Sequence, residues 1–491
     1  MPGMRATRDS ISDIWGPRTP YYESWPVRID ERIVEEPDRW VQSACVLCSN
    51  GCGMDIGVKD GRIVGVRGRG VDRVNHGRLG PKGLHGWEAN ASPDRLRAPL
   101  LRDPKTGQLR QASWDEAMSA VVTRSKELVE RYTSGSIAFY SSGQLFLEEY
   151  YTLALIGKAG LGTIHMDGNT RLCTATAAAS LRESFGSDGQ PASYTDIDVT
   201  DALFLVGHNP ASQQTVLWTR ILDRLAGPNP PKLLVVDPRH TQTALKADVH
   251  ITPRLGTNVA LLNGILHIML ERGWYDAGYV EEHATGFDGL QRTVHSWTPE
   301  RAANVCEISV RDLEAAAEMV GTAPRLISTV LQGVYQSMQA TAAACQVNNI
   351  HIVRGMLGKP GCGLFQMNGQ PTAQNTRETG ANGEYPAFRN LENADHMDEL
   401  ARIWNVETKR IPHWAHPTHI MQIMKFCDEG SIRMLWIIAT NPAVSLPDLN
   451  RIRKILGKRE LFVVVQDPFL TETAEYADVV LPAAMWAEKT G

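Results

Sequence analysis

One segment of this chain occurs twice. DALFLVGHNPA (201–211) matches RMLWIIATNPA (433–443), KLLVVDPR (232–239) matches LFVVVQDPF (461–469), and ALKADVHITP (244–253) matches AEYADVVLPA (474–483). The offsets barely change: Asn209 to Asn441 is 232, Asp237 to Asp467 is 230 and Asp248 to Asp478 is 230. In each copy a continuous apolar run reads as a strand buried on both faces of a parallel sheet. It ends in Asn-Pro-Ala before a helical segment, and a second apolar strand then ends in Asp-Pro. That is a βαβ unit with polar residues at the carboxyl ends of its strands, where open α/β sheets bind nucleotides. The G-x-G-x-x-G fingerprint is absent from both copies, so ordinary NAD binding is not supported. Two copies leave three readings: a pair of related nucleotide sites, one site and one relic, or α/β units that are purely structural.

The cysteines are placed as unevenly as the repeat is placed regularly. Of eight, Cys45, Cys48 and Cys52 crowd into one C-x2-C-x3-C stretch and the rest are scattered. Three thiolates at that spacing, with Gly51 and Gly53 relaxing the turn, can converge on one iron–sulfur cluster. GMDIGVKDGRIVGVRG (53–68) alternates apolar and polar residues around Asp60-Gly61, which predicts a β-hairpin. The alternatives are a zinc knuckle or a chance grouping. Zinc would want a fourth Cys or His at a comparable pair spacing, and there is no second C-x2-C.

Bulk properties narrow the partners. A length of 491 residues suggests about three domains. A net charge of -5 argues against a general nucleic-acid surface. No stretch approaches the ~18 apolar residues of a membrane span. The first 25 residues carry charges without a continuous apolar core, which argues against a Sec or Tat signal. The expectation is a cytoplasmic protein without nucleic-acid or membrane partners.

The cysteine cluster, the hairpin and the GRLxPKG block of VNHGRLGPKGLHGW (74–87) resemble the N-terminal iron–sulfur domain of the dimethyl sulfoxide reductase superfamily. Those enzymes carry molybdenum between two pterin guanine dinucleotides, and the resemblance runs from about residue 38 onward. It implies an α/β fold: an N-terminal iron–sulfur domain with small β-hairpins, then two related Rossmann-like α/β domains, one inserted in the other. Residues 1–35, rich in Pro, Tyr and charge, read as an arm; the resemblance implies the iron–sulfur domain at 36–105, one α/β domain at 106–170 and 366–491, and the inserted one at 171–365. The family's C-terminal β-rich domain, which closes over the pterins, is expected to be missing after AAMWAEKTG.

Carried onto this sequence, Gly207, Asn209, Asp237, Arg239, Gly256 and Asn258 would hold one dinucleotide, with Gln332 and Gly333 of QGVYQS at its pyrophosphate. Thr440, Asn441, Gln466, Asp467 and Asp478 would hold the other, and Gln370 would also face the cofactor. Cys45, Cys48 and Cys52 would bind the cluster, and Lys82 would lie on the electron path to the pterin. The family's fourth cluster cysteine falls on Gly80, which has no ligand atom. Three outcomes follow: a 3Fe-4S rather than a 4Fe-4S cluster, recruitment of His76 or Asp72, or loss of the cluster.

DGNTRLCTATAAAS (167–180) resembles the molybdenum-ligand region of the nitrate reductases, and Cys173 takes the ligand position. A soft thiolate suits a soft metal site. Arg171 and a helix starting near Thr174 are expected to favour the thiolate. Formate dehydrogenases of the group place histidine directly after the ligand; here it is Thr174. In GQPTAQNTRETG (369–380), Arg377 supplies a cation for an oxyanion or the pterin. The resemblance thus implies nitrate reduction in nitrate assimilation, with electrons from a donor protein or reductase subunit. Formate dehydrogenase is the first alternative and a non-catalytic relic of the fold the second. Residues 381–418 show no clear period and read as a long loop.

Overall fold

The computed structural model describes residues 4–7 (backbone only), 14–383 and 385–491. Parts of the expected arm, at 1–3 and 8–13, lie outside the described residues. The chain divides into two compact units: Met1–Gly86 with Leu172–Gly369, and Trp87–Arg171 with Gln370–Gly491.

In chain order, the first unit opens with β1 (Met4–Thr7), β2 (Arg28–Ile33), β3 (Arg39–Ala44), β4 (Gly53–Lys59) and β5 (Arg62–Gly68). They form a five-stranded sheet in the order β1-β2-β5-β4-β3. Its hairpin pairs Lys59 with Arg62 across Asp60 (φ 48°) and Gly61 (φ 73°), the left-handed pair that a two-residue turn demands. The second unit supplies β6 (Leu100–Arg102), β7 (Leu109–Gln111), β8 (Ile137–Ser141) and β9 (Met166–Gly168). The first unit resumes with β10 (Ala202–Val206), β11 (Lys232–Val236), β12 (Val249–Ile251), β13 (Leu326–Val330) and β14 (Gly363–Gln366). The second closes with β15 (Met434–Ile438), β16 (Phe462–Asp467) and β17 (Val479–Pro482).

The sheet β12-β11-β10-β13-β14 is parallel throughout. Every residue of β10 and β13 is buried, because helices cover both faces and leave no side of the strand for water. The other sheet runs β7-β6-β17-β16-β15-β8-β9, parallel from β17 to β9, with β6 and β7 antiparallel at one edge. Strand order reverses between β10 and β13 in one unit and between β15 and β8 in the other. Such reversals open crevices at the carboxyl ends of strands.

The duplication extends to single backbone atoms. Gly207 follows β10 at φ 57°, and its counterpart Ala439 follows β15 at φ 50°. Each donates its N–H over 2.9 Å to the neighbouring strand, Gly207 to Val236 O and Ala439 to Gln466 O. One further feature differs from the sequence expectation. The stretch expected to be a loop at 381–418 contains the helix Ala394–Trp404. Asn393 caps it by accepting the N–H groups of Asp395 and His396, and Met397, Leu400, Ala401 and Trp404 bury one face. Among the described residues no helix is long and apolar enough to cross a membrane.

Gly207 and Ala439 share a conformation but not their surroundings. A Cβ on Gly207 would lie 2.8 Å from the Gly333 backbone. Gly207→Ala should therefore cost about 2–4 kcal/mol, from left-handed strain plus overpacking. Ala439→Gly should change stability by no more than about 1 kcal/mol, because relief of strain offsets chain entropy. Urea-unfolding midpoints check this, and equal effects of the two changes would contradict it.

Candidate cofactor-binding and metal-ligating site

The cysteine loop closes on itself when Cys45 N–H donates to Cys52 O (2.9 Å). Burial pushes the Cys45 thiol up to about 12 and the Cys52 thiol well above its ordinary value, and neighbouring thiols of the loop add to both. Burial raises Cys48 too, while the Lys82 charge pulls Cys45 and Cys48 back. Among the described residues no three His, Cys, Asp or Glu side chains gather around a point that one metal ion could fill. The three thiols instead feel one another electrostatically from separate places in the loop. Buried soft donors beside a cation suit a polynuclear iron–sulfur group, which would take them as thiolates.

The loop is tied to the helix Thr215–Leu225. Asn50 Oδ1 accepts Leu217 N–H at 2.8 Å, and Asn50 Nδ2 donates to Cys52 Sγ at 3.2 Å. Gln214 donates to Ser49 Oγ (3.3 Å) and to Asn368 O (3.2 Å). Its Oε1 bonds His208 Nε2 at 2.9 Å, and His208 Nδ1 bonds Thr329 Oγ1 at 2.7 Å. A continuous polar chain therefore runs from β13 to the cysteine loop. His76, one of the two candidate replacement ligands, turns its ring onto Trp25, with centroids 5.3 Å apart. Burial first, then the Arg220 charge, lowers its pKa.

At the carboxyl ends of β10, β11 and β13 the first unit brings together Gly207, Asn209, Asp237, Arg239, Gln332 and Gly333. Asn209 Oδ1 accepts Thr243 Oγ1 (2.6 Å), and Asp237 Oδ1 accepts Arg239 N–H (2.9 Å). Arg239 leaves its guanidinium exposed. Asn258 follows Gly256 and donates to Gly333 O at 3.4 Å. The second unit repeats the arrangement: Asn441 Oδ1 accepts Thr473 Oγ1 (2.6 Å), and Asp467 Oδ1 accepts Phe469 N–H (2.9 Å). Thr440 Oγ1 accepts Asn169 Nδ2 at 3.2 Å. Burial lifts Asp467 to about 6. Asp478 lies elsewhere. Its carboxylate accepts Val463 N–H (2.8 Å) at the start of β16, as Asp248 accepts Leu233 N–H (2.8 Å) near the start of β11. Both clamp the ends of strands opposite Asp467 and Asp237.

Several buried polar atoms at these strand ends make no hydrogen bond within the protein. They are Gln213 Oε1 and Asn368 Oδ1 in the first unit, and Ser141 Oγ, Ser142 Oγ and Gln370 Oε1 in the second. Unsatisfied buried acceptors and hydroxyls are costly, so each unit is suited to a polar ligand rich in donors, as a pterin dinucleotide is. Sequence reading missed Gln213, Asn368, Ser141 and Ser142. The signal available was position: SSG (141–143) closes the buried strand IAFYS and leads straight off its end.

Cys173 lies in the first turn of the helix Thr170–Phe185, which starts four residues before the expected Thr174. It is half-buried, and burial raises its pKa. Arg171 does not act as the expected counter-charge: it pairs with Asp167 (3.2 Å) and donates to Asn382 (3.0 Å). Arg377 lies buried in the short helix Asn375–Glu378 and donates to Ala373 O at 3.3 Å.

Residues 95–491 match the molybdopterin oxidoreductase family, and residues 38–91 match the molybdopterin oxidoreductase Fe4S4 domain. The cofactors named by these domains are a molybdopterin and a 4Fe-4S cluster. A nitrate reductase of Synechocystis sp. is 34% identical over 92% of this chain and 64% of its own length. The periplasmic nitrate reductase of Desulfovibrio desulfuricans is 34% identical over 93% of this chain and 62% of its own. Formate dehydrogenase H of Escherichia coli is 30% identical over 92% and 63%. Acetylene hydratase from Pelobacter acetylenicus shares the fold at a TM-score of 0.71 and 20% identity, over 91% of this chain and 63% of that one. The chain thus spans somewhat under two thirds of the length of these proteins.

Two buried histidines of the first unit give the fold a pH signature. Burial pushes His208 down to about 4 and His351 to about 3. Both bind a proton more weakly folded than unfolded, so stability is whole above about pH 6.5 and falls as pH drops toward 4. Each contributes at most about 1.4 kcal/mol per pH unit. Urea midpoints should fall between pH 7 and 5, and less steeply in His351→Gln; a flat wild-type profile would refute neutral burial.

Proposed function

The chain belongs to the molybdopterin oxidoreductase family, and within it we propose that the chain reduces nitrate to nitrite. Nitrate takes up two electrons and two protons and leaves as nitrite and water. The electrons come from a donor protein or reductase subunit by way of the cluster. Molybdenum held by two pterin guanine dinucleotides would supply the two-electron chemistry at the oxyanion.

The observation that carries this reading is the pair Cys173-Thr174. Cys173 is a half-buried thiol, and Thr174 is wholly buried at the position where the formate-oxidising members carry histidine. A thiol whose pKa is raised by burial stays protonated on its own and would release its proton to solvent when a soft metal takes the thiolate. Arg377 supplies a buried cation for the oxyanion. Gly207, Asn209, Asp237, Arg239, Gly256, Asn258, Gln332 and Gly333 would hold one dinucleotide; Thr440, Asn441, Gln466, Asp467 and Gln370 would hold the other. Asp478 is left to its strand clamp. Lys82, exposed on the helix Pro81–His85, offsets the negative charge of the thiolates on the electron path. Formate oxidation remains the second reading, favoured by the 30% identity to formate dehydrogenase H.

In the full-length protein, Cys173→Ala should keep its pterin and lose viologen-driven nitrate reduction by at least about 100-fold. Formate should leave the wild-type centre unreduced. Reduction by formate without reoxidation by nitrate would favour the second reading, and a fully active Cys173→Ala would make the thiol a core residue only.

The duplicated acids allow a separate count. Acid hydrolysis should release about two guanine nucleotides per molybdenum from the wild type, and fewer from Asp237→Ala and from Asp467→Ala. One nucleotide per metal in the wild type would sink the two-site assignment.

A further inference from the structure

Gly80 stands where the family pattern puts the fourth cluster cysteine, and the structure shows what fills that corner. The helix Pro81–His85 starts from Gly80. It lies against the thiols: a side chain at Gly83 would meet Cys45 Sγ at 3.4 Å. A Cβ built on Gly80 falls 2.1 Å from Thr215 Oγ1. That separation is close to a carbon–sulfur bond and far inside any non-bonded contact. The threonine oxygen therefore stands at about the radius at which the sulfur of a cysteine at this position would stand.

Thr215 is held beside the cysteine loop by its neighbours. Gln214 donates to Ser49 Oγ, and Leu217 N–H donates to Asn50, which itself donates to Cys52 Sγ. The other candidates have partners of their own, with the Asp72 carboxylate also acting on Cys52 through its charge. His76 packs on Trp25. Asp72 Oδ1 accepts Val74 N–H (2.9 Å) and Asn75 N–H (3.3 Å) within its own turn.

We propose that Thr215 supplies the fourth ligand of the iron–sulfur cluster through its side-chain oxygen, in the place of a cysteine at position 80. The assignment rests on the reading that Cys45, Cys48 and Cys52 hold the cluster. A neutral hydroxyl donor leaves the site one negative charge short of four thiolates. It also binds iron less tightly than sulfur does. The reduction potential should therefore lie above that of an all-cysteine cluster, and one iron should be the first to leave.

The experiment is anaerobic iron and sulfide reconstitution of the full chain, with iron analysis, electron paramagnetic resonance and potentiometry. Wild type and Thr215→Ser should hold about four irons per chain and show a four-iron signal on reduction. Thr215→Ala should lose about one iron in four and show the oxidised three-iron signal. Gly80→Cys alone should assemble poorly, because its Cβ overlaps Thr215 Oγ1. Gly80→Cys with Thr215→Ala should regain the fourth iron at a lower midpoint potential than wild type. A Thr215→Ala protein matching wild type in iron content, signal and potential would overturn the proposal, as would a wild type that takes up only about three irons. A wild type that takes up no iron, and so matches Cys52→Ser, would instead remove the cluster reading on which the proposal rests.

Discussion

The side chain of Asn50 joins the two halves of the first unit. One end accepts the Leu217 N–H of the helix that follows β10, and the other donates to Cys52 Sγ. The N-terminus of a helix leaves N–H groups without intrahelical partners. Here the cysteine loop provides an acceptor for one of them. Ser49 adds its N–H to Gly369 O at 3.1 Å and its hydroxyl to Asn368 O. A buried amide satisfied at both ends is worth about 1–3 kcal/mol relative to one left unpaired. This explains why the first 86 residues form one compact unit with 172–369, although the intervening chain lies in the other.

The two copies of the repeat have kept their skeleton and diverged at their tips. Both keep the Asn–Thr bond, the Asp that accepts the N–H two residues on, and the left-handed residue after the first strand. Past the second strand one copy carries an exposed Arg239 and the other Phe469. Asp467 is raised to about 6 by burial, and Asn441 is drawn toward Glu472 at 2.7 Å. An exposed guanidinium favours a phosphate, whereas a carboxyl group that takes up its proton near pH 6 can donate as well as accept once protonated. Matching scaffolds thus present different chemistry at the strand ends of the two units.

Parallel strands were easy to read because burial on both faces writes itself as an unbroken apolar run. ALFLV and FVVVQD announce themselves. Long-range partners leave no such trace. Residues 1–35 read as an arm, rich in Pro, Tyr and charge, yet they contribute β1 and β2 to the sheet. Trp25 is buried there because its Nε1 donates to Asp223, 198 residues away, at 2.9 Å. Arg78 and Arg220 also lie over its ring, at 4.0 and 4.9 Å. No local period encodes that. Asp478 shows the converse. It repeats Asp248 faithfully in sequence, but repetition alone does not reveal which end of a strand a side chain serves. The loss at Gly80 was visible in the sequence, whereas the oxygen facing it, 135 positions on, required the fold.

Cys173 shows where local rules compete. A helix start and a nearby arginine should both favour a thiolate. In the structure Arg171 is committed to Asp167 and Asn382, and burial is the dominant influence on the thiol. Desolvation outweighs the helix field because removing water from a charge costs more than partial charges at one helix end return. A thiol so placed is a poor free nucleophile at neutral pH. On the reading proposed for Cys173, it would become a thiolate once a metal compensated the charge that the surroundings do not. The same physics applies to Cys45, Cys48 and Cys52, all raised by burial, with Cys45 and Cys52 raised further by neighbouring thiols. Burial alone does not mark a ligand, because it raises the core thiols Cys306 and Cys427 in the same way.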